Sequence, residues 1–270
     1  MDPASLREDI ARGHLDLSGV RGLDKDVLLP LLGPSLKSLD MTQCRLRLAD
    51  VEAIFAALPA GIEELRASRN RIPGGALQAL RDKAAQLRIL DIGYSECPDF
   101  SSLASLLGEH TEVLGLGDLD DLTGQVVSSA LHRCTNLKSV SFEFCQANRG
   151  PPFGTLVLEA LSEYCPNLEV VDAHRSDCSS DSIVALITKC PRIRDLALSG
   201  EGVDGRSVSA IARLQGLDRL HVEVGSVEAL LEAAQLSVSW LHLGAEYSED
   251  GEEAWCEAAG GVQNAAGRLA

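Results

Sequence analysis

Cys165-Pro-Asn-Leu168 returns as Cys190-Pro-Arg-Ile193 after 25 residues. This echo belongs to a longer pattern, Leu-x-x-Leu-x-Leu or a close variant, that recurs along nearly the whole chain. Its central apolar positions are 15, 39, 65, 90, 114, 140, 171, 196, 220 and 241, with spacings of 24, 26, 25, 24, 26, 31, 25, 24 and 21. A period of this length signals stacked structural units rather than one mixed core. The alternation inside each copy is that of a short strand with one apolar face.

Helical patterns fill the intervals. LADVEAIFAAL (48–58) puts Val51, Ile54, Phe55 and Leu58 on one face. SDSIVALITKC (180–190) does the same with Ile183, Leu186, Ile187 and Cys190, with Ser180 or Asp181 as N-cap. Each unit is one strand, one turn and one helix. It cannot bury its apolar face alone, but it can when stacked on copies of itself. The 31-residue interval holds an insertion, QANRGPPFG (146–154), read as a loop with Phe153 at its tip. Residues 1–13 are expected to cap the first rung of a solenoid spanning 14–247. A helix over 248–260 closes the other end with Trp255, and 261–270 forms a flexible tail.

The segment CPNLEVVDAHRSDCSSDSIVALITKCPRIRDLAL resembles the leucine-rich-repeat family, in the cysteine-containing subtype found in the substrate-binding halves of F-box proteins. Cys-Pro precedes the strand, Cys178 follows it, and a helix ends in the next Cys-Pro. Asn70 follows the ordinary asparagine pattern of the family instead. The resemblance implies an α/β leucine-rich-repeat solenoid, a horseshoe of about ten repeats with parallel strands concave and helices convex. Nine gaps of about 4.8 Å give an inner arc of roughly 43 Å. It also implies a protein-binding scaffold, extending to the recognition arm of a ubiquitin-ligase adaptor. The 13 residues before the first rung are too few for the helical module that docks such an arm, which would then sit elsewhere.

Composition narrows the function. With 40 acidic and 24 basic residues the net charge is −16, which disfavours nucleic acid and anionic membrane surfaces. No apolar run approaches the roughly 20 residues of a membrane span. The opening MDPASLREDIARGHL lacks the basic start and apolar stretch of a secretory signal. Eight cysteines without a Cys-x-x-Cys pair, and no Asn-x-Ser/Thr, point to free thiols in a cytoplasmic or nuclear setting. Cys165, Cys178 and Cys190 keep the phase of the repeat and are read as buried core rather than metal ligands.

Gly200-Glu-Gly-Val-Asp-Gly205 has the spacing of a dinucleotide fingerprint. Glu201 and Asp204 would stand beside the pyrophosphate, so it is read as a turn. No nucleophile elbow, zinc-protease or phosphate-loop motif occurs. No cofactor, metal or enzymatic activity is expected.

The residues at −1, +1 and +3 from each central position should face the inner arc. Those 30 positions hold eight acids, Asp16, Asp40, Glu64, Asp91, Glu143, Asp172, Asp195 and Glu223, against Arg66 and Arg219. His14, His174, His221 and His242 also fall there, with Tyr94, Phe144 and Trp240 on or beside the face. The expected partner-binding set is therefore Asp40, Arg66, Asp91, Tyr94, Phe144, Asp172, His174, His221, Trp240 and His242. It would hold a protein with a basic surface. The alternative is a structural subunit of a larger assembly, or a regulator of an enzyme such as a GTPase.

Overall fold

A computed structural model describes residues 8–245, apart from 82, 84, 85, 147–151, 225–228, 230–232, 234, 235 and 237. The strands are β1 (His14–Asp16), β2 (Ser38–Asp40), β3 (Glu64–Arg66), β4 (Ile89–Asp91), β5 (Val113–Gly115), β6 (Ser139–Ser141), β7 (Val170–Ala173), β8 (Asp195–Leu198), β9 (Arg219–Val224) and β10 (Trp240–Ala245). Between them lie α1 (Lys25–Leu28), α2 (Leu48–Ala57), α3 (Gly74–Leu80), α4 (Leu103–Leu106), α5 (Gly124–Leu131), α6 (Phe153–Tyr164), α7 (Ser180–Lys189) and α8 (Gly205–Ile211). The strands form one parallel sheet in chain order. Its register pairs the ten repeat positions with one another, from Leu15 on Leu39 through Val140 on Val171 to Leu220 on Leu241.

Successive helices pack side by side behind the sheet. Packed helices stand about 8–10 Å apart and paired strands about 4.8 Å. Two layers with such different spacings cannot be stacked straight, so the sheet lines the inside of the curve. The core between them is aliphatic and continuous from Leu15 to Ala233. Phe142 and Phe153 meet in it with ring centroids 5.9 Å apart. The reading of Phe153 as the tip of a loop is therefore wrong. It is fully buried at the start of α6, because the first turn of that helix needs an apolar anchor against β6.

The turn after each strand repeats in detail. Gly19, Gln43, Arg69, Tyr94, Asp118, Phe144, Arg175 and Gly200 each stand four residues past the central position, with φ between +51° and +96°. Most of their amide N–H groups bond the next rung, as Gln43 does to the Ser68 carbonyl at 2.9 Å and Phe144 to the His174 carbonyl at 2.8 Å. One residue further on, a polar side chain turns inward to the carbonyl two past the centre of the preceding rung. Cys44 Sγ donates to Leu17 O at 3.0 Å, Asn70 Nδ2 to Met41 O at 2.8 Å, Cys145 Sγ to Leu116 O at 3.2 Å and Ser176 Oγ to Phe142 O at 2.7 Å. Carbonyls that would be orphaned in the core are thus satisfied rung by rung. In the seventh unit Ser176 has this role, not Cys178, which the subtype resemblance had put after the strand. The N-cap of α7 is likewise Ser179, whose hydroxyl accepts from Ser182 N, rather than Ser180 or Asp181.

The seven described cysteines are free and buried. Burial pushes the thiols of Cys44, Cys134, Cys145 and Cys190 up to about 11 and Cys178 up to about 12. They should resist a bulky alkylating reagent at pH 8 until the protein is denatured, because the thiolate is the reactive form. Intact mass before and after denaturation reads this directly. Native disulfides among these seven would contradict it.

Residues 8–11, within the expected N-terminal cap, are helical. The left-handed Gly13 (φ +83°) follows, and a Cβ there would lie 2.7 Å from the Ser35 carbonyl oxygen. Residues 1–7, the predicted closing helix with Trp255, the tail at 261–270 and residues 147–151 of the 146–154 insertion lie outside the described residues. No described helix is long and apolar enough to cross a membrane.

Candidate partner-binding face

The inner face is less open than strict alternation implies. In the +1 column, Asp40, Arg66, Asp91, Asp172 and His221 are half-buried, while Asp16 and His242 are exposed. In the +3 column, Ser68, Gly93, Gly117, His174 and Ser199 are buried. Concave curvature crowds this column against the left-handed turn that follows it.

The +1 aspartates have a local structural role that sequence reading missed. Oδ1 of Asp16, Asp40, Asp91 and Asp172 accepts the backbone N–H two residues ahead, at 2.9, 2.9, 3.2 and 3.2 Å. Each carboxylate therefore closes its own strand end. The signal was present as Asp-x-Ser, Asp-x-Thr, Asp-x-Gly and Asp-x-His, the spacing of an Asx turn. Of the eight acids, Glu64 pairs with Arg66 (3.1 Å), Asp195 with Arg219 (3.0 Å), and Glu223 with His174 (3.1 Å) and Arg175 (3.7 Å). Asp16, Asp40, Asp91, Glu143 and Asp172 make no ion pair with another described residue.

Near the middle of the arc the side chains thin out at Gly93, Gly115 and Gly117. Their φ angles are ordinary; space is the reason for glycine. A Cβ at 115 would lie 2.5 Å from Asp91 Oδ1, and one at 117 would lie 3.0 Å from Glu143 Cγ. Asp91 and Glu143 lean into this gap, with the Tyr94 ring beside Glu143 at Gly117. Burial and then the Glu143 carboxylate push the Tyr94 phenol up. Burial also raises the Asp91 carboxyl, and burial with the Glu143 charge raises Asp172 to about 6. The Arg69 guanidinium lies 4.4 Å from the Tyr94 ring centroid. Tyr94 and Phe144 belong to the left-handed ridge bordering the face, not to its strands.

At the C-terminal end an aromatic cluster draws on the sixth, seventh, ninth and tenth rungs. Phe144 meets His174 edge-on (5.7 Å), His174 stacks on His221 (4.5 Å), His221 meets His242 edge-on (4.5 Å), and His242 stacks on Trp240 (6.0 Å). Phe144 and Trp240 remain 40% and 49% exposed, while His174 is only 9% exposed. His174 was expected on the open face; the ring of His221 and the carboxylate of Glu223 cover it. Burial, and then the charges of neighbouring His174 and His242, disfavour protonation of His221. His174, His221 and Glu223 also bring three ligand-type atoms within 4.8 Å of one another, where the sequence had suggested no metal ligand.

The Gly-x-Gly-x-x-Gly segment is a packing turn. A Cβ on Gly202 would lie 1.8 Å from the Cys178 carbonyl oxygen, and Asp204 caps α8 by accepting Ser207 N at 2.8 Å. That carboxylate occupies the position where a pyrophosphate would have to meet free backbone donors.

No family model and no curated protein matches this chain. Among solved structures it is similar to an internalin (inlF) from Listeria monocytogenes str. 4b F2365. That likeness has 16% identity and a TM-score of 0.51, and covers 90% of this chain and 70% of that one. At this identity the likeness speaks to architecture. With the ten in-register parallel strands, the helix layer behind them and the inward ladder of polar side chains, it shows that the chain folds as a leucine-rich-repeat solenoid.

Proposed function

We propose that the chain is a non-enzymatic scaffold that holds a protein partner on its concave face, and that the partner presents Lys or Arg side chains there. The observation that carries this is the run of carboxylates without cationic partners among the described residues. Asp91 and Glu143 border the gap over Gly115 and Gly117, and Asp40 and Asp172 stand further along the same arc on β2 and β7. Desolvated carboxylates on a curved wall reinforce one another's field. An entering guanidinium or ammonium would offset the burial and, after it, the Glu143 charge that raise the Asp172 carboxyl. Arg66, Tyr94, Phe144, His221, His242 and Trp240 complete the contact set, with Phe144 and Trp240 as exposed anchors at one end and His174 beneath His221 and Glu223.

The partner class extends, through the Cys-Pro phrase, to substrates of a ubiquitin-ligase adaptor in the cytoplasm or nucleus. A fixed subunit of a larger assembly, or an enzyme regulator, is the second reading. Affinity purification with mass spectrometry separates them. Ligase components support the adaptor, and a stoichiometric complex that survives high salt supports the fixed subunit.

The purified partner is then titrated against a D40N/D91N/D172N variant at two salt concentrations. Asn keeps the Oδ1 acceptors of the three turns, so stability should change by no more than about 0.5 kcal/mol per site. Association at low salt should slow about tenfold and lose much of its salt dependence. Unchanged kinetics and affinity would move the site to the 146–154 loop or the convex helices.

A further inference from the structure

We propose that His174, His221 and Glu223 form a binding site for a divalent transition-metal ion of the zinc type on the inner face of the solenoid. The Nε2 atoms of His174 and His221 are both buried and neither has a hydrogen-bond partner. His174 Nε2 lies 3.1 Å from Glu223 Oε1 yet without hydrogen-bond geometry. Buried polar atoms are almost always satisfied, so two orphaned ring nitrogens beside one carboxylate call for an explanation. A cation shared by the three groups supplies it.

The register builds the cluster. His174 follows β7, His221 is in β9, and β8 runs between them, so their backbones stand roughly 9.6 Å apart. The rings nevertheless stack with centroids 4.5 Å apart. They meet because, at their level, the intervening rung offers only the small side chains of Ala197 and Ser199, while Asp195 at the start of β8 pairs with Arg219. Ala197 pairs with Asp172 on one side and His221 on the other, and its methyl leaves the space above it open.

The donor set suits the ion. Two imidazole nitrogens and one carboxylate oxygen are a common zinc triad, and the fourth position remains for water or a partner's side chain. Bonds of about 2.0–2.2 Å in a tetrahedral site put ligand atoms about 3.3–3.5 Å apart. The His174–Glu223 pair is already that close, and the whole set lies within 4.8 Å, so binding requires the ligand atoms to draw together by about 1 Å. Neighbours hold the ligands in place. Arg175 Nε lies 3.7 Å from Glu223 Oε2, turning Oε1 toward His174. The edge of Phe144 on His174 and that of His242 on His221 orient the rings. Such outer contacts tune metal sites. The opposing charge of Arg175 is offset by Glu143 and Asp172 along the same arc.

The test is calorimetric titration of tag-free, EDTA-stripped full-length chain with zinc chloride, with cobalt(II) absorption as the spectroscopic readout. One equivalent of zinc should bind at micromolar affinity or tighter, and cobalt should give the visible bands of a low-coordinate site. H221Q and E223Q should each weaken binding at least tenfold. A197L changes no ligand, but it should weaken binding as much by wedging the rings apart, while the exposed H110Q should leave it unchanged. Circular dichroism checks that each variant folds; if H221Q does not, E223Q and A197L decide. Substoichiometric binding, or one equivalent held equally well by E223Q and A197L, overturns the proposal.

Discussion

Replacing Gly154 with alanine should cost about 3 kcal/mol of stability, the upper end of what overpacking one buried position does. Its backbone does not need glycine for conformation, since its φ is not positive. It needs glycine for space. A Cβ there would lie 1.7 Å from the Ser176 carbonyl oxygen and 2.6 Å from Cys178 Sγ. The near atom is backbone, so no rotamer change relieves the clash; α6 or the 176–178 turn must move. Gly202 approaches the same turn from the following rung, 1.8 Å from the Cys178 carbonyl oxygen, and should respond alike. Because the two press one shared turn from the rungs on either side, moving it off one clash worsens the other, and the double variant should cost more than the sum of the two. Gly216 has nothing within 4 Å of its virtual Cβ, so G216A should be close to neutral. Urea unfolding measures the losses, and amide exchange locates them. Protection should fall around the sixth to eighth units and persist near the N-terminal rungs, since rungs contact only neighbours. A G154A loss below about 0.5 kcal/mol would mean that the rungs are not packed this closely.

These glycines show where sequence reading stops. The ten central positions pair as read, because a slip of one residue would turn every apolar side chain of a strand to the wrong face. Register was therefore legible from period alone. The left-handed turn was not. Only Gly19 and Gly200 signal it, while Gln43, Arg69, Tyr94, Asp118, Phe144 and Arg175 adopt it at some cost because the rungs on either side dictate the path. Tyr94 and Phe144 could be named from their scarcity, but not placed on the ridge they occupy. The His221–His242 pairing was visible as a shared column. The approach of His174 was not, because it depends on what Ala197 fails to fill on the strand between the two histidines. Asp40, Asp91 and Asp172 looked like free surface charge, and the capping of their own turns appears only once the chain bends back.

Asn70 is where the ladder is most concentrated, and its replacements should rank by how many of its bonds each can keep. The side chain is 5% exposed. Its Nδ2 donates to the carbonyls of Met41, Ala67 and Ser68 at 2.8, 3.0 and 3.1 Å, and its Oδ1 accepts the Arg45 N–H at 3.1 Å. Asn70→Ala leaves these backbone groups without a side-chain partner. With about 1–3 kcal/mol for each buried polar group left unsatisfied, and partial relaxation, the loss should be about 3 kcal/mol. Asn70→Cys should cost less, because Cys44 and Cys145 hold the equivalent place with a single S–H bond each. Asn70→Asp should be worst at neutral pH, roughly 4 kcal/mol or more. It keeps the acceptor for Arg45 but turns a charged oxygen on three carbonyls. The sign of its pH dependence follows. The carboxyl would have a folded pKa above its unfolded value, so the penalty is full at neutral pH and is relieved as pH falls through the folded pKa. Denaturant melts of the three variants at pH 7 and pH 5 check both the order and the sign. If Asn70→Asp melts within about 1 kcal/mol of the parent at pH 7, the inward ladder does not hold the third rung to the second.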